Sequence, residues 1–462
     1  SCPRKPGSSS ELPFVPPAVS VTLRARSAMG CAHGSSSSVL IPTSPSGSSG
    51  GRNSQIQLSF HQQYSLQGKL GSGARGIVHA VQNTRDNERL AVKVMSLRRA
   101  SPEGGGGGGD GAGSGRLEDV LVRSALAEIQ IMKQVNKHPN VVRFVQSFMQ
   151  DGLAYIVMEK CDLSLWQALD RLPQVNERGL RRIFCEMLSG LESIHFANVV
   201  HRDVKPDNFL CAGPDATVRL CDFSCATRVT SEITRELKGI DGTAPFMAPE
   251  MVNHELYNAK VDVWGLGVVF YGILFGDFPY RLRRVNVSFD SSEAPSKTAQ
   301  WKAVIAAGTQ EPTFQTPAGE QISTDLLALA RKLLDRQPTS RPTAREASRH
   351  RFFQQIEPEG GAEEPNLRSV LAVARKNGFF GSRKEGRTST KESDLDRELM
   401  AVKEKYIITD EEKAKEQNAQ SWRSDATTEA PYSTNSQHAG PAGKPRLSTA
   451  DEVWRTSSSS SV

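Results

Sequence analysis

The chain has 462 residues, enough for two or three domains, but only 37% of them are hydrophobic. With 38 glycines and 25 prolines, this composition predicts a folded core with disordered flanks and excludes a chain packed from end to end. The net charge of +6 is small for this length, so we expect no nucleic-acid partner. The seven cysteines form no CxxC pair and no apolar stretch could span a bilayer, which predicts a reduced, cytoplasmic protein.

The first predicted elements lie between residues 60 and 135. Residues 1–58 before them are rich in Ser, Pro and Gly and are expected to form a disordered arm. A strand, a Gly-rich turn and a second strand are predicted over 64–79, and a third strand over 89–95. The Gly-rich run 102–115 is predicted to be a flexible insertion, and 117–135 carries apolar residues at helical spacing.

The remaining elements complete a domain predicted to span residues 60–353. Short strands continue to residue 159, and helical patterns dominate after residue 164. Residues 281–300 are predicted to be a polar insertion. The tail, 354–462, is expected to be mostly disordered, with helices at 366–377 and 394–416.

The first tail helix has an apolar face formed by Leu367, Val370, Leu371 and Ala374. One interpretation is an autoinhibitory helix or a helix that binds a calmodulin-like partner. The other, which we favour, is a helix packed on the larger lobe of the preceding domain or a nascent helix in the tail.

A phosphate-binding loop is predicted at the Gly-rich turn. The segment GSGARGIV fits G-x-G-x-x-G-x-V and joins two strands, whereas the dinucleotide-binding loop with the same glycine spacing joins a strand to a helix. Lys93 on the following strand can neutralise the α- and β-phosphates of a nucleotide, and Glu128 on the helix can hold its amine. The loop residues predicted to contact nucleotide are Gly71, Ser72, Gly73, Ala74, Arg75, Gly76 and Val78.

The segment VVHRDVKPDNFL carries the most specific signal for phosphoryl transfer. Asp203 would orient the attacking hydroxyl and accept its proton, and Lys205 would contact the γ-phosphoryl group. Asn208 and Asp222 would be the protein ligands of Mg²⁺.

Taken with the segment GTAPFMAPE, these motifs resemble eukaryotic Ser/Thr protein kinases over about residues 64–353. The similarity is nearest to the calcium/calmodulin- and calcium-dependent group. It implies an α+β fold of two lobes: a small antiparallel β-sheet lobe with one main helix, and a larger, mostly helical lobe. It also implies ATP-dependent, Mg²⁺-assisted phosphorylation of Ser and Thr hydroxyls on protein substrates.

The resemblance assigns further residues. It implies that adenine meets Ala91 and the backbone of Glu159 and Cys161, that Asp162 meets the ribose, and that Met158 is the gatekeeper. It also implies a pair between Glu250 and Arg341, a catalytic loop tied down by Asp262, and a stack of His201 on Phe223.

One departure from the family pattern is Ser224, which stands where glycine usually follows Asp-Phe. A decayed site would make the chain a pseudokinase scaffold or allosteric partner. A small-molecule phosphotransferase on the same fold is a third interpretation. Lys93, Asp203 and Asp222 are all present, so we favour an active kinase in which the Ser224 side chain hydrogen-bonds back to Asp222.

Two predictions concern regulation. Arg202 resembles the arginine that binds a phosphate on the activation segment, which implies an upstream activating kinase acting on Thr230, Ser231 or Thr234. If translation started at Met29, Gly30 and Cys31 could be acylated, and the protein would be membrane-associated only in that case. The alternative is an incidental Met-Gly in a disordered arm.

Overall fold

A computed structural model describes residues 58–73, 75–98, 112–282, 295–317, 319–354, 365–380 and 394–406. Nearly all of the predicted N-terminal arm and most of the predicted tail lie outside the described residues. Within the described ranges, no helix combines the length and apolar character needed to cross a membrane.

The smaller lobe is a five-stranded antiparallel sheet with one long helix. In sheet order the strands are β1 (Tyr64–Gly73), β2 (Gly76–Asn83), β3 (Arg89–Ser96), β5 (Leu153–Glu159) and β4 (Phe144–Gln150). A short helix, α1 (Phe60–Gln63), precedes the sheet, and α2 (Ala112–Val135) packs beside it. Leu90, Val92 and Val94 of the central strand β3 are buried because they share one apolar cluster with Phe60 of α1.

The larger lobe is mostly helical, which confirms the predicted two-lobed α+β fold. Its helices are α3 (Leu165–Asp170), α4 (Glu177–Phe196), α5 (Pro249–Val252), α6 (Lys260–Phe275), α7 (Lys297–Ala307), α8 (Thr324–Leu333), α9 (Ala344–Ser348) and α10 (Arg351–Gln354). Every residue of α6 after Lys260 is buried. This helix is therefore the centre of the lobe, as its unbroken apolar sequence indicates.

Two small sheets frame the segment between the lobes. One joins β6 (Leu163–Ser164), β8 (Phe209–Ala212) and β9 (Thr217–Leu220), and the other pairs β7 (Val199–Val200) with β10 (Thr227–Arg228). Residues 201–208 link β7 to β8 and 221–226 link β9 to β10, so both motif-bearing segments are held at their two ends by strand pairing.

Helix boundaries differ from the prediction at both insertions. Helix α2 begins at Ala112, inside the predicted Gly-rich insertion, although glycine disfavours helix. Helix α7 begins at Lys297, inside the predicted polar insertion, where the Ser296 side chain caps the helix by accepting from Ala299 N.

Two helices follow the larger lobe: α11 (Arg368–Lys376) and α12, residues 394–406. The apolar face of α11 packs on the larger lobe, where Val370, Leu371 and Ala374 are fully buried. The ring of Phe379 fills the space where a Cβ on Gly272 of α6 would lie. Helix α11 is therefore packed on the domain through its apolar face, and an autoinhibitory or partner-binding role stays a prediction.

Candidate active site

The glycine-rich loop between β1 and β2 requires a glycine at position 76, where β2 begins. Gly73 and Gly76 lie opposite each other in the β1–β2 register. Gly76 has a φ of +149°, and a Cβ there would lie 2.5 Å from a carbonyl oxygen of β3. Val78 lies opposite Lys93 in the register, so the strand that leaves the loop runs directly beside the strand that carries Lys93. Ala74 lies outside the described residues.

Lys93 forms ion pairs with two carboxylates of the cleft. Its Nζ lies 2.8 Å from Glu128 Oε1 and 2.8 Å from Asp222 Oδ1, and both Lys93 and Glu128 are buried. Burial alone would lower the pKa of Lys93, but the two carboxylates outweigh it and raise the pKa above its usual value. The amine is therefore protonated and fixed between α2 and the β9–β10 segment.

Asp222 turns its carboxylate into the cleft from a left-handed backbone position, with a φ of +61°. Burial alone would raise the pKa of Asp222, but Lys93, with a smaller contribution from the Ser224 side chain, holds it well below its usual value. The hydrogen bond from Ser224 to Asp222 stays a prediction. Ser224 itself is not among the described residues with positive φ, so the serine adds no backbone strain of that kind.

We therefore expect Ser224→Gly to change turnover by less than about tenfold, equivalent to ~1.4 kcal/mol. The variant removes a hydroxyl near Asp222 but keeps the contact between Asp222 and Lys93. Steady-state kinetics of both proteins at saturating Mg·ATP measure the difference. An inert parent that becomes active on substitution would identify the serine as a disabling change.

The catalytic loop holds Asp203 from three directions. Its Oδ2 lies 2.6 Å from Lys205 Nζ, its Oδ1 accepts from Thr243 N at 2.8 Å, and its carbonyl oxygen accepts from Asn208 Nδ2 at 2.7 Å. Lys205 also donates to Thr243 Oγ1 at 2.8 Å. The four side chains therefore form one polar group between the catalytic loop and the segment that precedes α5.

Asp262 of α6 fixes the backbone of this loop. Its carboxylate accepts from His201 N and Arg202 N, both at 2.7 Å, and lies 2.9 Å from His195 Nε2. These bonds support Arg202 at a φ of +65°, which few non-glycine residues adopt. The His201 ring packs on Phe223, with ring centroids 5.2 Å apart.

The pair implied between Glu250 and Arg341 is also formed. Two bonds join the side chains, at 2.7 and 3.2 Å, and both residues are buried. The Arg341 guanidinium also lies over the Trp264 ring, 5.0 Å from its centroid. This bidentate geometry ties α5 to the core of the larger lobe.

The hinge after β5 presents backbone rather than reactive side chains. Ala91 lies opposite Met158 in the β3–β5 register. Burial raises the pKa of the Cys161 thiol to about 12, so the thiol stays protonated. A nucleotide base that binds beside Cys161 would therefore contact a neutral thiol and not a thiolate.

Both acidic side chains of the hinge already have protein partners. Glu159 Oε1 accepts from Arg219 Nε at 3.1 Å, and Asp162 Oδ2 accepts from Gly213 N at 3.2 Å. The Asp162 side chain is still 59% exposed, so it can accept a further hydrogen bond from a sugar hydroxyl.

One acidic residue of the site escaped sequence reasoning. Arg202 Nη1 lies 2.6 Å from Asp241 Oδ2, and Arg75 Nη2 of the glycine-rich loop lies 3.7 Å from Asp241 Oδ1. Arg75 also donates to the carbonyl oxygen of Ser224. Asp241 thus joins the catalytic loop to the glycine-rich loop. Its only signal in sequence is its position directly before Gly242, which does not identify the two arginines.

Comparisons with known proteins agree with this geometry. The family model described as the protein kinase domain matches residues 64–353. Serine/threonine-protein kinase pakA of Dictyostelium discoideum is 32% identical over 215 residues, which are 46% of this chain and 16% of that protein. The phosphorylase b kinase gamma catalytic chain, liver/testis isoform, of Homo sapiens is 26% identical over 317 residues, 67% of this chain and 70% of that protein.

CDPK-related kinase 5 of Arabidopsis thaliana is 26% identical over 351 residues, which are 73% of this chain and 52% of that protein. The relatives carry different kinase names, so the calcium-linked subgroup stays a prediction. Because the kinase domain model matches more than half of the chain and several relatives are named serine/threonine kinases, the chain belongs to the protein kinase family as a protein kinase of the serine/threonine type.

Proposed function

We propose that this kinase transfers the γ-phosphoryl group of ATP to Ser and Thr hydroxyls of proteins, with Asp203 as the base. The observation that carries the proposal is the complete charge network of the cleft. Lys93 contacts Glu128 and Asp222 at once, while Lys205 contacts Asp203. A cleft whose catalytic groups are already in contact needs little rearrangement before reaction.

ATP would bind between the two lobes. The backbone of the glycine-rich loop would cover its phosphates, and the Lys93 ammonium would neutralise part of their charge. Arg75 pairs with Asp241 across the front of the cleft. This contact would have to open for the nucleotide to enter, which is consistent with the partial exposure of both side chains.

Asp222 and Asn208 fit the requirements of Mg²⁺. The lowered pKa of Asp222 keeps its carboxylate ionised, and the amide nitrogen of Asn208 is bonded to Asp203, so the amide oxygen is the atom suited to a cation. Hard oxygen ligands of this kind, completed by phosphates, are those Mg²⁺ prefers. When bound, Mg²⁺ would neutralise charge on the phosphates.

Asp203 is placed to receive the proton of the attacking hydroxyl. Thr243 N and Lys205 Nζ hold its two carboxylate oxygens in a fixed orientation. Lys205 would then stabilise the negative charge that develops on the transferred group. The alternative, a pseudokinase scaffold, is disfavoured because every charged group of the reaction is present and paired.

The decisive test offers Mg·ATP and an array of Ser- and Thr-containing peptides to the full chain. We expect incorporation of phosphate, with a preference for basic residues N-terminal to the acceptor because Asp207 is exposed beside the catalytic loop. An Asp203→Asn variant is the control. A parent with no more activity than this variant would support the scaffold function instead.

An upstream activating kinase remains part of the proposal. The Asp241 carboxylate already pairs with the Arg202 guanidinium. A phosphate on the activation segment would therefore have to share the guanidinium with this carboxylate or displace it. We expect the triple variant Thr230→Ala/Ser231→Ala/Thr234→Ala to have lower activity than the phosphorylated parent, since it cannot carry the added charge. Phosphatase treatment of the parent is the control, and full activity of the triple variant would rule this mode of activation out.

Cellular location is also proposed rather than measured. The reduced cysteine pattern supports a cytoplasmic protein. Membrane association would require acylation of Gly30 and Cys31, which lie outside the described residues. Mass spectrometry of the native N-terminal peptide tests this, because a peptide that continues through residues 28–30 is incompatible with acylation at Gly30.

A further inference from the structure

Helix α12, which lies beyond the matched kinase domain, packs on the small lobe. Leu399 is fully buried, and Leu395 and Val402 pack beside it. The apolar cluster that receives Leu399 comes from α1 and the sheet and includes Phe60, Tyr64, Val81, Val92, Phe148 and Tyr155. Helix α12 therefore shares the hydrophobic core of the small lobe.

Charged contacts fix both ends of α12. Near its start, Asp396 Oδ2 lies 2.7 Å from Lys69 Nζ, and Asp396 Oδ1 lies 3.6 Å from His79 Nε2. Near its end, Asp151 accepts from Lys405 Nζ and Tyr406 OH, both at 2.9 Å. The helix is thus placed in one register along the sheet.

The contacts of Asp396 fall at one particular place in the fold. Lys69 on β1 and His79 on β2 lie opposite each other in the strand register, and the glycine-rich loop is the segment between them. Asp396 is itself buried. A single carboxylate therefore contacts both strands midway along the hairpin whose tip is the glycine-rich loop.

We propose that α12 is a positioning element for the glycine-rich loop: through Asp396 and Leu399 it holds the β1–β2 hairpin in the geometry that binds ATP. This inference rests on the proposed ATP-binding function. The ATP-binding unit then includes residues up to 406, and a partner that displaced α12 would weaken ATP binding without contacting the nucleotide.

The structure offers matched pairs of variants on α12. Asp396 is buried, whereas the Asp394 side chain is 75% exposed, so Asp396→Asn and Asp394→Asn make the same chemical change with and without the hairpin contact. Leu399 is fully buried and its neighbour Met400 is 39% exposed, which provides Leu399→Ala and Met400→Ala as a second pair.

The experiment measures the Kd of ATP, steady-state kinetics and amide hydrogen exchange in the full chain. We expect Asp396→Asn and Leu399→Ala to raise the Kd and KM for ATP about fivefold, with kcat at saturating ATP unchanged. Exchange should be faster across residues 69–79. Asp394→Asn and Met400→Ala should match the parent.

Two results would overturn the proposal. One is an ATP Kd in Asp396→Asn equal to that in Asp394→Asn. The other is faster exchange throughout the chain, because a general loss of stability is not positioning of one hairpin. A chain that binds ATP but transfers no phosphate would contradict the proposed function alone, since the Kd and exchange measurements still decide the role of α12.

Discussion

Replacing Asp222 with alanine is expected to reduce phosphoryl transfer at least about a thousandfold, because several kcal/mol of charge stabilisation are lost with the carboxylate that we propose as a ligand of Mg²⁺. The variant also removes one of the two partners of Lys93, whose Nζ lies 2.8 Å from Asp222 Oδ1. Glu128 remains in contact with Lys93, so the amine stays paired and the fold should be retained. Steady-state kinetics at saturating ATP, repeated across a range of Mg²⁺ concentrations, provide the measurement.

Asp222→Asn is the informative companion variant. It keeps the size of the side chain and a hydrogen-bond acceptor for Lys93 but removes the charge. A loss of activity in both variants would assign the effect to the charge. Substantial activity in Asp222→Ala would show that the metal assignment is wrong.

The second large effect is expected at Asp203. Asp203→Asn should lower kcat by about 10²–10⁴-fold, because an amide cannot accept the proton of the attacking hydroxyl. The amide oxygen can still accept from Thr243 N, so the loop should keep its conformation. The nucleotide Kd is expected to be unchanged, which separates loss of chemistry from loss of binding.

Asp215→Asn is the matched control for this substitution. Asp215 is an exposed aspartate in the turn before β9 and is not among the residues that contact Asp203. Equal activities of the two variants would contradict the role of Asp203 as the base.

The residues of the cleft were predictable because their signals are local in sequence. The segments that contain Gly71–Val78 and Asp203–Asn208 each carry several functional residues within one turn or loop, so their spacing alone indicates the chemistry. Strand pairing and the Asp262 carboxylate then place these segments as the resemblance implies.

Asp241 could not be assigned in the same way. Its partners, Arg75 and Arg202, come from two distant segments, and an isolated acid has no periodic pattern that identifies a partner. Helix α12 shows the same limit. Its charged sequence predicted a helix, but only the folded structure shows that the Leu399 side chain is buried against the sheet.

The packing of α11 bears on how this kinase can be produced. A fragment ending at Phe353, where the family match ends, would lack Val370, Leu371, Ala374 and Phe379. Their removal would expose the apolar surface of α6 around Gly272 to water. Contiguous exposed surfaces of this kind promote aggregation, so we expect such a fragment to be recovered mainly in the insoluble fraction, whereas one that continues through Phe380 retains this cover.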